Sequence, residues 1–320
     1  MRSLTSTCHL RAAQALVLVI AFGASGCTTL KHTAVNQLGN ALASGGTTYA
    51  ADDDPALVQA AAPFSLKLME SLLAESPDHP GLLLAAASGF TQYAYAFVQE
   101  DGDELQDKDH AAAAALYRRA NRMYLRAHRY GLHGLAVAHP GFPAALRQDP
   151  AAAARLCTAA DVPLLYWTAA SWCAAIALGK DQPDLIAELP MAEALMDRAL
   201  VLDEGFDRGS IHAFLITYEM SRAGGRGDPV ARAEQHFQRA LALAGGHQAA
   251  PYVAFAEAVC VQRQDRAGFD SALTQALAID ADAQPDTRLV NLIMQRRARW
   301  LRSCGNELFL EPATAPDSKS

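Results

Sequence analysis

An all-α protein, assembled from antiparallel helix pairs in irregular repeats, is what the sequence predicts. Three observations carry that expectation. Ala, Leu, Arg, Glu and Gln, all good helix formers, dominate the 320 residues, while alternating β-branched runs are nearly absent. Pro and Gly cut the chain into segments of helical length. One pattern of small and large residues recurs along it.

The segment breaks predict helices over 55–76, 80–99, 109–138, 143–157, 161–179, 190–202, 206–223, 229–244, 249–264, 266–279 and 286–304. Asp54-Pro55 and Asp228-Pro229 each read as an N-cap followed by proline at the first helical position. That assignment also accounts for Arg226-Gly227-Asp228, which spells an adhesion tripeptide but ends in a helix cap.

The recurring pattern is Ala192-x3-Met196-x2-Ala199-Leu200-x-Leu202, then Ala233-x3-Phe237-x2-Ala240-Leu241-x-Leu243, then Phe269-x3-Leu273-x2-Ala276-Leu277-x-Ile279. Ala113-x3-Tyr117-x2-Ala120 is a fourth copy and Phe64 to Ser71 a degenerate fifth. The pattern is the second-helix signature of the tetratricopeptide repeat. A small residue lets paired helices approach and a large one fills the groove to the next pair. Spacings of 41 and 36 residues depart from the standard period of about 34. The first-helix partners are Ile211 to Tyr218 and Tyr252 to Val259. Stacked pairs make an α-solenoid with a concave face; the alternative is a non-repeating helical bundle with the same periodicity.

The N-terminus sets the compartment. Arg2 and Arg11 precede a short apolar run, Ala12 to Phe22, too short to span a bilayer comfortably but suited to a secretory signal. Gly23-Ala24-Ser25-Gly26-Cys27 follows and resembles the bacterial lipobox, with Ala24 where Leu is usual. In that resemblance the leader 1–26 is removed and Cys27 carries a diacylglyceryl thioether and an amine-linked palmitate. Several chains on one residue anchor stably where one holds marginally. Thr28, rather than Asp, after the cysteine points to the outer membrane. Residues 27–50 read as a lipidated tether grading into structure, 51–310 as the helical domain, and 311–320 as a disordered tail. The mature chain shows no second long apolar run, so its body reads as a soluble domain.

Loss of the two leader arginines leaves 25 basic against 34 acidic residues, with no basic cluster, which argues against a nucleic-acid partner. Cys157, Cys173, Cys260 and Cys304 remain in an oxidising compartment. None has metal-ligand spacing; buried core thiols are the simpler reading, and a disulfide such as Cys260–Cys304 stays open. No phosphate-binding loop, nucleophile elbow or His-Glu-x-x-His is present, and no catalytic, metal or cofactor site is expected. His128, His133 and His139 are spaced five and six apart, which places them on no common face. Glu100 to His110 reads as an acidic, solvated loop lacking the full calcium-loop pattern, with a cation site or a docking patch for a basic partner as alternatives.

Two aromatic stretches stand out in a chain with 7% aromatics: Ser88 to Phe97, with Phe90, Tyr93 and Tyr95, and Tyr166 to Cys173, with Tyr166, Trp167 and Trp172. Rings with polar tips line ligand cavities and also fill helix–helix grooves; the residues leave both readings open. In order, Asp52 to Val58, Phe64 to Leu73, Ser88 to Gln99 and Leu165 to Trp172, together with the lipobox, resemble the T component of tetratricopeptide-associated TRAP transporters. The likeness runs over roughly residues 27–310, with Cys173 departing from the small residue expected there. It implies a non-enzymatic, periplasm-facing lipoprotein that docks a TRAP-type periplasmic solute-binding protein and forms homo-oligomers. It further implies an internal cavity, lined by Phe90, Tyr93, Tyr95, Tyr166, Trp167 and Trp172, that holds or passes a small organic ligand. The alternative function is a tetratricopeptide scaffold lipoprotein for envelope assembly, binding peptides or proteins in its groove.

Overall fold

The computed structural model describes residues 36–42, 46–222, 224–225 and 227–310. Cys27, the leader, the first part of the tether and the tail 311–320 lie outside them. The described residues contain helices and no strand, as the composition predicts. In order they are α1 (36–42), α2 (Gly46–Ala50), α3 (Pro55–Glu75), α4 (Pro80–Ala94), α5 (Glu100–Leu105), α6 (His110–Ala138), α7 (Phe142–Gln148), α8 (Pro150–Ala154), α9 (Val162–Leu178), α10 (Pro183–Ile186), α11 (Leu189–Leu202), α12 (Ser210–Glu219), α13 (Pro229–Ala244), α14 (Ala250–Ala254), α15 (Val261–Arg263), α16 (Arg266–Ala278), α17 (Arg288–Ser303) and α18 (Gly305–Leu308). Two π-helical turns, Tyr95–Gln99 and Phe255–Cys260, join α4 to α5 and α14 to α15 without a break.

The caps behave as the sequence predicts. The Asp54 carboxylate accepts from the Ala56 and Leu57 N–H groups, and Asp228 from Val230 N–H, each with proline at the first helical position. The helix predicted over 143–157 is two: Asp149 ends α7, and Pro150, which lacks an N–H, starts α8 under the Asp149 side chain.

The repeat register holds at its small positions. Ala113, Ala120, Ala192, Ala199, Ala233, Ala240 and Ala276 are all buried. It fails at the degenerate copy, where Phe64 is 74% exposed and α3 buries Val58, Leu66, Leu72 and Leu73 instead. Helix α6 is the hub, packed against both α4 and α9, which also touch each other. It comes so close to α9 at Gly131 that a Cβ there would lie 2.2 Å from the Thr168 hydroxyl. Helices Pro80–Leu105 and Ala159–Leu178 are long and apolar enough to cross a membrane by length and composition, against the expectation of no further long apolar run. Much of each lies inside the helix stack around α6.

Cys157, Cys173, Cys260 and Cys304 are free thiols, the first three buried, so the Cys260–Cys304 bridge is not formed. The array returns to its start: α17 packs against α2 and α3, and Arg288 donates to the Ala51 carbonyl at 2.8 Å.

Candidate functional site

The aromatic residues of α4 and α9 divide into groups. Phe90 stacks on Tyr130 of α6 with ring centroids 6.1 Å apart, under the Arg126 guanidinium. Tyr93 packs its ring 5.4 Å from Phe97 and donates its hydroxyl to the Gln59 carbonyl of α3 at 3.3 Å. Both belong to the α3–α4–α6 contact. Trp172, 2% exposed, donates its indole N–H to Glu188 at 3.0 Å, and its ring lies 4.0 Å from that of His128. Burial there pulls the His128 imidazole down to about 4, with Arg129 and Arg147 adding to the effect.

Tyr166, Trp167 and Tyr95 behave differently. Tyr166 meets Trp167 edge-on at 4.9 Å and Phe206 at 5.3 Å. Trp167 and Tyr95 keep part of their surface accessible. Burial pushes both the Tyr95 and Tyr166 hydroxyls well above their usual value. A desolvated phenol normally finds a hydrogen-bond partner, yet neither hydroxyl bonds any of the described residues, and neither is fully enclosed.

Tyr95 also opens the first π-helical turn, in which the Glu100 N–H donates to the Tyr95 carbonyl five residues back. π-turns cost regular hydrogen bonding and concentrate at functional positions. Glu100 is 1% exposed, and neither of its carboxylate oxygens has a hydrogen-bond partner. Burial pushes its carboxyl up to about 8, against the pull of Arg297 and Arg296. One turn on, Asp103 accepts from Arg297 at 2.5 Å and from the Tyr117 hydroxyl at 2.9 Å. Arg297 also reaches Glu257, which lies in the second π-turn, through its Nε at 3.2 Å. Its guanidinium sits 4.4 Å from the Trp300 ring. Arg296 holds Asp101 at 2.7 Å and Glu104 at 2.9 Å. One arginine of α17 thus joins α5, which continues the first π-turn, to the second π-turn. The cluster ties α17 to α5.

This part of the site was not anticipated. The acidic segment from Glu100 is not a solvated loop: its first turns form α5, because Arg296 and Arg297 neutralise one face of it. The available signal was the Arg296-Arg297 pair near the end of an amphipathic helix in a chain short of basic residues.

A separate open groove of about 840 Å³ follows α13, lined by Glu234, Phe237, Gln238, Arg239 and Phe255 among others. Phe237 and Phe255 stack there with centroids 4.3 Å apart.

The sequence model of a family described as TRAP transporter T-component matches residues 51–309. A protein of Treponema pallidum (strain Nichols), named only as an uncharacterized protein, is 32% identical over 270 residues, covering 82% of this chain and 83% of its own length.

Proposed function

The chain belongs to the TRAP transporter T-component family, and from that premise we propose that it is a periplasm-facing lipoprotein, anchored through Cys27, that docks a TRAP-type periplasmic solute-binding protein and holds or passes a small organic ligand in its interior. Its role is transport-associated and non-enzymatic. The anchor is a lipidated Cys27 after removal of residues 1–26, and Thr28, rather than Asp, after it favours the outer membrane.

The observation that carries the ligand-holding part is the pair of phenols. Tyr95 and Tyr166 present desolvated hydroxyls that bond none of the described residues, and the part-accessible Trp167 packs edge-on against Tyr166. A ligand with hydrogen-bonding groups would satisfy them. Phe90, Tyr93 and Trp172 are buried on α4 and α9.

The test is recovery of the lipidated protein from its native membrane after mild crosslinking. Mass spectrometry of the captured material should identify a periplasmic solute-binding protein, encoded beside a TRAP permease. Capture of envelope-assembly proteins alone would favour the second reading, a tetratricopeptide scaffold. The feature that favours that reading is the apolar groove along α13, with its stacked Phe237 and Phe255, which suits an extended peptide.

A further inference from the structure

Away from the closure cluster, three side chains of different chemistry converge at the end of α6. His139 is the residue that caps α6, Cys157 follows α8, and Asp161 precedes α9. They are 18 and 4 positions apart in sequence, so no spacing motif announces them. One ligating atom from each lies within 4.8 Å of the others. The His139 Nε2 is 3.0 Å from Asp161 Oδ2. We propose that His139, Cys157 and Asp161 form a binding site for one divalent, borderline-soft transition-metal ion, zinc in the first instance.

The donor set fits that ion. Zinc takes thiolate, imidazole and carboxylate at about 2.0–2.3 Å in a tetrahedron, so its ligand atoms stand roughly 3.3–3.7 Å from one another. With all three atoms within 4.8 Å of one another, side-chain shifts of about 1 Å close the longest separation to that spacing. A thiolate and a carboxylate together balance the double positive charge, which is required where Cys157 is fully buried and the Asp161 side chain nearly so. On binding, the Cys157 thiol gives up its proton to solvent and its sulfur forms the metal bond. The His139–Asp161 contact is replaced by two bonds to the metal.

The surroundings hold the ligands in place, as outer-shell groups do at metal sites. Asp161 accepts from the Thr158 N–H at 2.7 Å and from the Thr158 hydroxyl at 3.0 Å. Arg198 grips the Cys157 carbonyl with two donors, at 2.6 and 3.2 Å, which fixes the backbone that aims the thiol. The His139 side chain, 23% exposed, supplies the entry path and the side on which a water completes the fourth position. A bound ion would tie the end of α6 to the α8–α9 connection.

Cobalt(II) titration of the reduced, metal-free mature chain tests this. One equivalent should produce a near-ultraviolet thiolate-to-cobalt charge-transfer band and the visible absorption of a tetrahedral ion, and zinc should displace both. Cys157→Ser should abolish the charge-transfer band. His139→Gln and Asp161→Asn should each weaken zinc binding at least tenfold, with circular dichroism unchanged. Absence of saturable one-to-one binding overturns the proposal, and so does a charge-transfer band that survives Cys157→Ser. If Cys157→Ser fails to fold, X-ray absorption on the wild-type chain with one zinc decides instead. One sulfur among nitrogen and oxygen neighbours is expected, and a shell without sulfur refutes the site.

Discussion

Arg297 and Asp103 are 194 positions apart in the chain and 2.5 Å apart in the fold. That ion pair, with Glu257 on the other side of the same guanidinium, closes the helix array. Removing one partner of a buried pair costs about 3–5 kcal/mol, because the remaining charges are left uncompensated. Arg297→Leu should therefore lower the unfolding free energy by that order. Arg263→Ala, which breaks an exposed pair with Glu234, should cost less than about 1 kcal/mol. Denaturant unfolding of both variants compares them, and equal losses would mean that α17 is not the clasp.

Glu100 makes the stability of the chain depend on pH. Its carboxyl is raised from the ordinary value of 4.5 to about 8 in the folded state. Between those values the unfolded chain has lost the proton and the folded chain keeps it. Folding then takes up a proton, and stability falls as pH rises through that window, levelling above pH 8. The His128 imidazole, lowered to about 4, acts in the opposite sense below its ordinary value of 6.5, so the wild-type profile alone is ambiguous. The difference between wild type and Glu100→Gln isolates the effect. The variant should gain melting temperature relative to wild type as pH goes from 5 to 8.5, and parallel profiles would refute the assignment.

The repeat register is tested at Ala240. It is fully packed, and the Gly209 turn approaches it so closely that a Cβ on Gly209 would lie 3.4 Å from the Ala240 Cα. Ala240→Leu overpacks that contact, a change that typically costs about 1–3 kcal/mol. The neighbouring Arg239 is exposed and pairs with Glu204, so Arg239→Ala should cost under about 1 kcal/mol. Equal melting temperatures for the two variants would place the small residue of the repeat elsewhere.

What could be read from the sequence is what local chemistry decides. Asp54 and Asp228 with their prolines start α3 and α13 because capping acts within four residues. Ala199, Ala240 and Ala276 were found because a solenoid repeats its contacts at a near-constant spacing. The closure was not legible, since Arg297 meets partners 40 and 194 residues away and no periodicity links them. The π-turn at Tyr95 was hidden for a related reason: a single extra residue inside a helix leaves composition and amphipathic pattern nearly unchanged. For the aromatic stretches the sequence located the residues but not their partners. Trp172 turned to Glu188 and His128, while Tyr166 turned to Phe206, and only tertiary packing separates those outcomes.

Lipid anchoring rests on Gly23-Ala24-Ser25-Gly26-Cys27. Cys27→Ser should move the processed protein from the membrane to the soluble periplasmic fraction on centrifugation. Persistence of the variant in the membrane fraction, with uncut precursor excluded by mass, would show that another element anchors it.

The interior phenols give the sharpest separation between a ligand space and ordinary core. Tyr95→Phe and Tyr166→Phe delete only hydroxyls for which no protein partner is recorded. Loss of an unpaired, desolvated polar group is neutral or mildly stabilising, since no bond is broken and a desolvation cost disappears. Both variants should keep the wild-type melting temperature. Trp172→Ala, in contrast, removes a buried ring and its bond to Glu188 and should cost about 3–5 kcal/mol. Small molecules retained by each protein through purification from its native host can be compared by mass spectrometry. If the two phenols contact a ligand, Tyr95→Phe and Tyr166→Phe should release it while folding is untouched. Trp172→Ala should lose it only in proportion to the fraction unfolded. Unchanged retention in both tyrosine variants would show that the hydroxyls face no ligand, and the aromatic residues of α4 and α9 would then be packing alone.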